Sequence, residues 1–177
     1  MRARFVVTTL AISILPSLAA AQAAPVATAF RDFASTEGKH LIAAAETMPA
    51  DKYGFKPTPA QMSFGDIVVH LSGGNDVLCS TIGTMKAPTR TKVDATAGKD
   101  ALVARLKETF AFCDQSLAGL DDSKLGEQLK IFGQSMTRAG VETDAISDWA
   151  DHYSQTAVYL RLNGQLPPTA QPKAKKP

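Results

Sequence analysis

The chain has 177 residues, 45% hydrophobic and 20% charged, with 19 basic against 17 acidic side chains. That composition suits one globular domain with a single core. It gives no strong net positive field of the kind that draws proteins to nucleic acid.

The chain opens with "MRARFVVTTLAISILPSLAAAQAAP". Two arginines precede an apolar run from Phe5 to Leu15, and small residues follow. This is the pattern of a secretory signal, with cleavage expected after Ala21 or Ala23. The apolar run falls short of the roughly 20 residues that a spanning helix needs. The sequence therefore predicts a signal peptide over residues 1–23, export to the periplasm or medium, and no membrane attachment after cleavage. Loss of Arg2 and Arg4 leaves 17 basic against 17 acidic residues, so the mature net charge is about zero. Residues 24–168 are expected to form the domain. Residues 169–177, ending in "PKAKKP", are expected to be a disordered tail.

The first helix is predicted over residues 26–48. Phe30, Phe33, Ala34, Leu41, Ala44, Ala45 and Met48 recur there at spacings of three and four. Pro49 stops it, and "PADKYGFKPTPAQM" reads as an ordered loop that offers Tyr53 and Phe55 to the core. In "SFGD", Ser63 is the expected N-cap of the second helix, with Asp66 three residues on in a weaker form of the capping box. Phe64, Ile67, Val68, Leu71, Leu78, Cys79 and Ile82 make its stripe. Gly73 and Gly74 interrupt it, each at about 1 kcal/mol against alanine. They either admit a neighbouring helix or open room beside His70.

Residues 83–98 read as a loop, and residues 99–117 as the third helix, with Leu102, Leu106, Phe110, Cys113 and Leu117 inward. "GLDDSKLGEQLKIFGQSMTRAGV" reads as a long connection with one short helical turn and no strand. The fourth helix is predicted over residues 141–163, closed by Gly164 and by Pro167 and Pro168. Four striped helices predict an all-α, up-and-down four-helix bundle. Cys79 and Cys113 lie on two of these stripes, and export favours a disulfide between them. Two buried thiols are the other reading.

Three histidines bear on function. His152 falls within the apolar arc of the fourth helix, with Asp148 one turn before it and Gln155 and Tyr159 continuing the row. His70 lies at the edge of the second helix's stripe. Two such residues at i and i+4, with a third from a facing helix, give three ligands and one open side, the plan of a catalytic metal site. Imidazole and carboxylate suit zinc, nickel, manganese or iron. A solvated Asp–His pair shows the same spacing. Glu37, in mid-face of the first helix, is read as solvated through a shift of that helix, and His40 as a border residue.

"AAAETMPADKYGFKPTPAQMSFGDIVVHLSGGNDVLCS" resembles the end of helix one and the second helix of the DinB-like superfamily, also called the YfiT-like metal-dependent hydrolases. "AFCDQSLAGL", "FGQSMTRAGV" and "DHYSQTAVYLRLNGQLPP" resemble later blocks of the same family, in order. The resemblance implies a four-helix bundle with a long connection between helices three and four. It also implies a divalent metal on three histidines. His70 matches the first, and His152 matches the second member of an HxxxH pair whose first member is Asp148 here.

Two functions follow as expectations. One is a metal-dependent hydrolase or thiol transferase acting on a small molecule through His70, Asp148 and His152, with Gln155 and Tyr159 supporting them and zinc, nickel or manganese as the cofactor. The other is a non-catalytic exported bundle, without the metal, that binds a partner or forms a homodimer.

Overall fold

The computed structural model describes residues 24–172. The signal-peptide reading and the end of the expected tail lie outside these residues. Four helices dominate: α1 (Pro25–Thr47), α2 (Phe64–Gly83), α3 (Lys99–Leu117) and α4 (Arg138–Leu162). No helix among the described residues is long and apolar enough to cross a membrane.

Local chemistry sets the helix ends. Pro25 starts α1, where a missing N–H costs nothing. The Asp122 carboxylate, far along the chain, accepts from Val26 N and Ala27 N at 3.1 and 2.8 Å. At α2 the capping box is complete: Ser63 Oγ accepts from Asp66 N at 3.1 Å, and the Asp66 carboxylate accepts from Ser63 N at 3.0 Å. The Ser63 hydroxyl also donates to this carboxylate, at 2.6 Å, and that bond, with the one from Ser63 N, holds the Asp66 carboxyl below its ordinary pKa. Thr137 caps α4 through Gly140 N, so this helix begins three residues earlier than the sequence pattern predicts.

The bundle is present, and its connectivity is more particular than simple alternation. α1 packs on α4 and α3, and α2 packs on α3 and α4. The order around the bundle is therefore α1, α4, α2, α3. Cys79 and Cys113, both in the later part of their helices, are joined Sγ to Sγ, so α2 and α3 run in the same direction. Near the same end α2 and α3 come close enough that a Cβ on Gly83 would lie 2.1 Å from Ser116 O. Tyr159, late in α4, reaches Met62 just before α2, whereas Trp149, earlier in α4, reaches Asn75, further along α2, so those two helices are antiparallel.

The connection before α4 corrects the expectation of a strandless segment. After a 3-10 turn at Asp122–Lys124 it forms a hairpin, β1 (Gln128–Ile131) with β2 (Gln134–Thr137). The pairing is antiparallel, with Gln128 opposite Thr137 and Ile131 opposite Gln134. Phe132 and Gly133 both have positive φ, 48° and 77°, as a tight two-residue hairpin turn requires. Leu129 and Ile131 point into the core, and Phe132 is exposed at the tip. At the other end of the domain, a 3-10 turn at Pro168–Ala170 packs against α1. Tyr153 of α4 donates to Thr169 Oγ1 at 2.8 Å and accepts from Thr169 N at 3.1 Å. The ordered chain thus continues past residue 168, where the tail was expected to begin.

A buried polar network ties three helices together. Trp149 Nε1 donates to Asn75 Oδ1 at 2.8 Å, and Asn75 Nδ2 donates to Thr109 Oγ1 at 3.2 Å. Trp149 also stacks on Phe30 and meets Phe110, each with centroids 6.1 Å apart. Tyr53 is buried as a plug, its hydroxyl donating to Ala45 O, and burial drives its pKa far upward. Phe55 packs edge-on against Tyr159.

The glycines of α2 are not alike. A Cβ at Gly73 would meet nothing within 4 Å, and the residue has no positive φ. Gly73→Ala is therefore expected to raise stability by about 1 kcal/mol, the helix-propensity difference. Urea denaturation reads it, and a loss of stability would show an unseen constraint on the backbone there.

Candidate metal centre

His70, Asp148 and His152 come together where α2 faces α4. One ligand atom from each lies within 4.8 Å of the others. His70 Nε2 and His152 Nε2 are each 3.4 Å from Asp148 Oδ1, and the two rings meet edge to face with centroids 4.7 Å apart. Metal–ligand bonds of roughly 2.0–2.1 Å in a tetrahedron place ligand atoms about 3.4 Å apart. Two edges of the triangle have that length, so the donor set fits a small divalent cation.

The centre is graded in exposure. The His152 side chain is 10% exposed, Asp148 28% and His70 46%. Two of the three side chains are thus seated in the bundle, while the third stands at its rim and leaves one side open. Burial opposes the charge on Asp148, but hydrogen bonds and positive charge from His152 and then His70 outweigh it and hold the carboxyl below its ordinary range. Burial likewise opposes a charged His152. The hydrogen bond and charge of Asp148, helped by Gln155 and Asp151, overcome it and raise the imidazole above its ordinary value.

Gln155 lies where a supporting residue was expected. His152 Nδ1–H donates to Gln155 Oε1 at 3.2 Å, and Gln155 Nε2 donates to Asp151 Oδ2 at 2.6 Å. A hydrogen bond at Nδ1 fixes the tautomer and directs Nε2 to the centre. Asp151 was not foreseen, because its position on the solvent side of α4 conceals its hold on Gln155. Tyr159 corrects the sequence reading. Its hydroxyl donates to Met62 O at 2.9 Å and its ring packs against Phe55 and Phe64, so it locks the loop before α2 onto α4. Burial raises its pKa.

Glu37 and His40 lie apart from the triangle. Glu37 is not solvated as expected: its side chain is 13% exposed, Oε1 lies 3.4 Å from His40 Nδ1, and Oε2 is buried without a partner. His40 stacks on Tyr153 with centroids 5.0 Å apart. Asn75, also missed, supports the centre from below by holding Trp149, the neighbour of Asp148. Its signal is a polar residue set within the apolar stripe of α2.

Comparison with known proteins agrees with this architecture. A DinB-like protein from Bacillus subtilis superposes with a TM-score of 0.65 at 18% identity, covering 81% of this chain and 99% of its own. One from Bacillus cereus gives 0.66 at 14% identity, covering 80% and 95%. A mutant of a mycothiol-dependent maleylpyruvate isomerase gives 0.59 at 10% identity, covering 72% of this chain and 59% of its own. No curated protein matches the chain. The model of the DinB superfamily matches residues 35–152, from the middle of α1 to the last histidine of the triangle. The chain belongs to the DinB superfamily.

Proposed function

We propose that this chain is an exported metal-dependent enzyme, a hydrolase or thiol transferase, that holds a divalent cation on His70, Asp148 and His152. The observation that carries this reading is the triangle itself, two imidazoles and a carboxylate with a small-cation spacing and one exposed side. A zinc, nickel or manganese ion bound there supplies Lewis acidity, which makes a water or a thiol a nucleophile near neutral pH. The chain's own residues do the rest. Gln155 holds His152 in one tautomer, Asp151 holds Gln155, and Asp148 joins the two imidazoles. His70 lies at the rim, where a small molecule enters. A thiol-dependent isomerase among the fold neighbours supports small-molecule chemistry on this scaffold.

Elemental analysis of protein purified without chelator or metal-binding tag is expected to find one divalent ion per chain. Added zinc at 100 times its dissociation constant is expected to add about 2.7 kcal/mol of stability, and the pair His70→Ala with His152→Ala to abolish that gain. The pH dependence is a further check. In metal-free protein the raised His152 contributes stability that is full below its unfolded value of 6.5 and lost as pH rises through its folded value. The lowered Asp148 contributes stability that is full above 3.8 and lost as pH falls through its folded value. Metal-free protein therefore gains most from this pair between those two values. Zinc requires a deprotonated His152, so its stabilisation is expected to grow as pH rises through the same range. Parallel pH profiles with and without zinc, and no bound metal, would leave a non-catalytic helical bundle.

A further inference from the structure

Gly73 and Gly74 follow His70 by three and four residues, so both lie beside it on the next turn of α2. A Cβ on Gly74 would meet only Asp148 Oδ2, at 3.9 Å, and one on Gly73 would meet nothing. Neither packing nor backbone conformation calls for glycine at 73, yet the helix carries it. What Gly73 borders is a cavity of about 320 Å3 between α2, the loop before α3, and α3.

Val69, Val93 and Leu102 give this cavity an apolar lining, and Arg90, Lys92 and Arg105 supply its charge. Arg90 is fixed in place: Nε donates to Asp76 Oδ2 at 2.7 Å and Nη1 to Glu108 Oε2 at 3.3 Å. Arg105 is held by Nε on Glu108 Oε2 at 3.1 Å and by Nη1 on Thr91 O at 2.8 Å, which leaves Nη2 for another acceptor. Lys92 is exposed at the cavity's edge. Asp76 and Glu108 offset two of the three cations, so the cluster keeps one positive charge. The guanidinium of Arg105 is oriented by its own bonds, an arrangement suited to a planar carboxylate.

We propose that this cavity is the anion subsite of the His70–Asp148–His152 centre, and that the substrate is a small organic acid. Its carboxylate lies against Arg105 and Lys92, and its apolar body crosses Gly73 so that the far end reaches the centre. The orientation rests on the metal reading above, whereas the subsite rests on the cavity alone.

The test uses hexanoate, with hexanol and hexylamine as neutral and cationic counterparts. Protein-observed NMR on chelator-treated protein is expected to show saturable hexanoate binding, at least tenfold tighter than either counterpart. Lys92→Gln is expected to weaken it several-fold, and Gly73→Leu, which fills the crossing, at least tenfold. Circular dichroism is expected to show that both variants fold, because neither removes a buried contact. With Mn2+ bound, the methyl end of hexanoate is expected to relax faster than its α-methylene. Equal binding of the three probes, or hexanoate affinity untouched by both variants, would overturn the subsite. Faster relaxation of the α-methylene would overturn the orientation. If Mn2+ does not bind while selectivity and both variant effects persist, the subsite stands and the metal reading fails.

Discussion

Replacing Cys79 and Cys113 together by alanine is expected to lower the free energy of unfolding by about 3–4 kcal/mol. The bond closes a loop of 34 residues, and constraining a loop of that size in the unfolded chain is worth about that much on the chain-entropy scale. For a domain of this size the loss corresponds to roughly 10 °C in Tm. Both cysteines are buried between α2 and α3, so alanine adds no polar group there. Guanidinium denaturation of oxidised and reduced wild-type protein checks the same quantity without mutation. Superimposable curves would show that helix packing alone sets the stability.

Trp149→Ala is expected to cost about 3–5 kcal/mol. The side chain is completely buried, and its removal leaves a cavity between Phe30 and Phe110. It also leaves Asn75 Oδ1 without its donor. Trp149→Phe separates the two effects. It retains most of the volume and is expected to cost about 1–3 kcal/mol, the range for a buried acceptor left unpaired. Thermal unfolding followed by circular dichroism is the suitable readout, because Trp149 is the sole tryptophan and its fluorescence disappears with it. Equal losses for the two variants would mean that the hydrogen bond, rather than ring volume, governs this layer.

Much of the architecture was legible in the sequence because long amphipathic helices repeat their signal. Leu102, Leu106, Phe110, Cys113 and Leu117 carry α3 from end to end, and all are buried. Ser63 and Asp66 announce the start of α2 within four residues. The order of helices around the bundle was not legible, because it depends on which faces approach closely. That is decided by contacts such as Gly83 on Ser116 and Gly38 on Phe110. The hairpin was missed for a local reason. Its strands are four residues long, so Leu129 and Ile131 are the whole alternation of β1, and its turn places Phe132 where asparagine or aspartate is usual.

The centre was legible in part for the same reason. Asp148, His152 and Gln155 lie on one helix, where spacing determines proximity. His70 was legible as the edge of a stripe and through family resemblance. Tyr159 was misread because its hydroxyl meets a carbonyl 97 residues away, and no helical row encodes that. Glu37 was misread because spacing places a carboxylate on a face without showing whether a neighbouring helix covers it.

The separation of His70 from Asp148 by 78 residues bears on the order of assembly. A chain that ends before α4 holds both cysteines of the disulfide but only one of the three side chains of the triangle. The triangle exists only after the final helix has docked, so any ion it accepts is accepted by a finished domain. A partly folded chain that lacks α4 therefore presents no site of this kind.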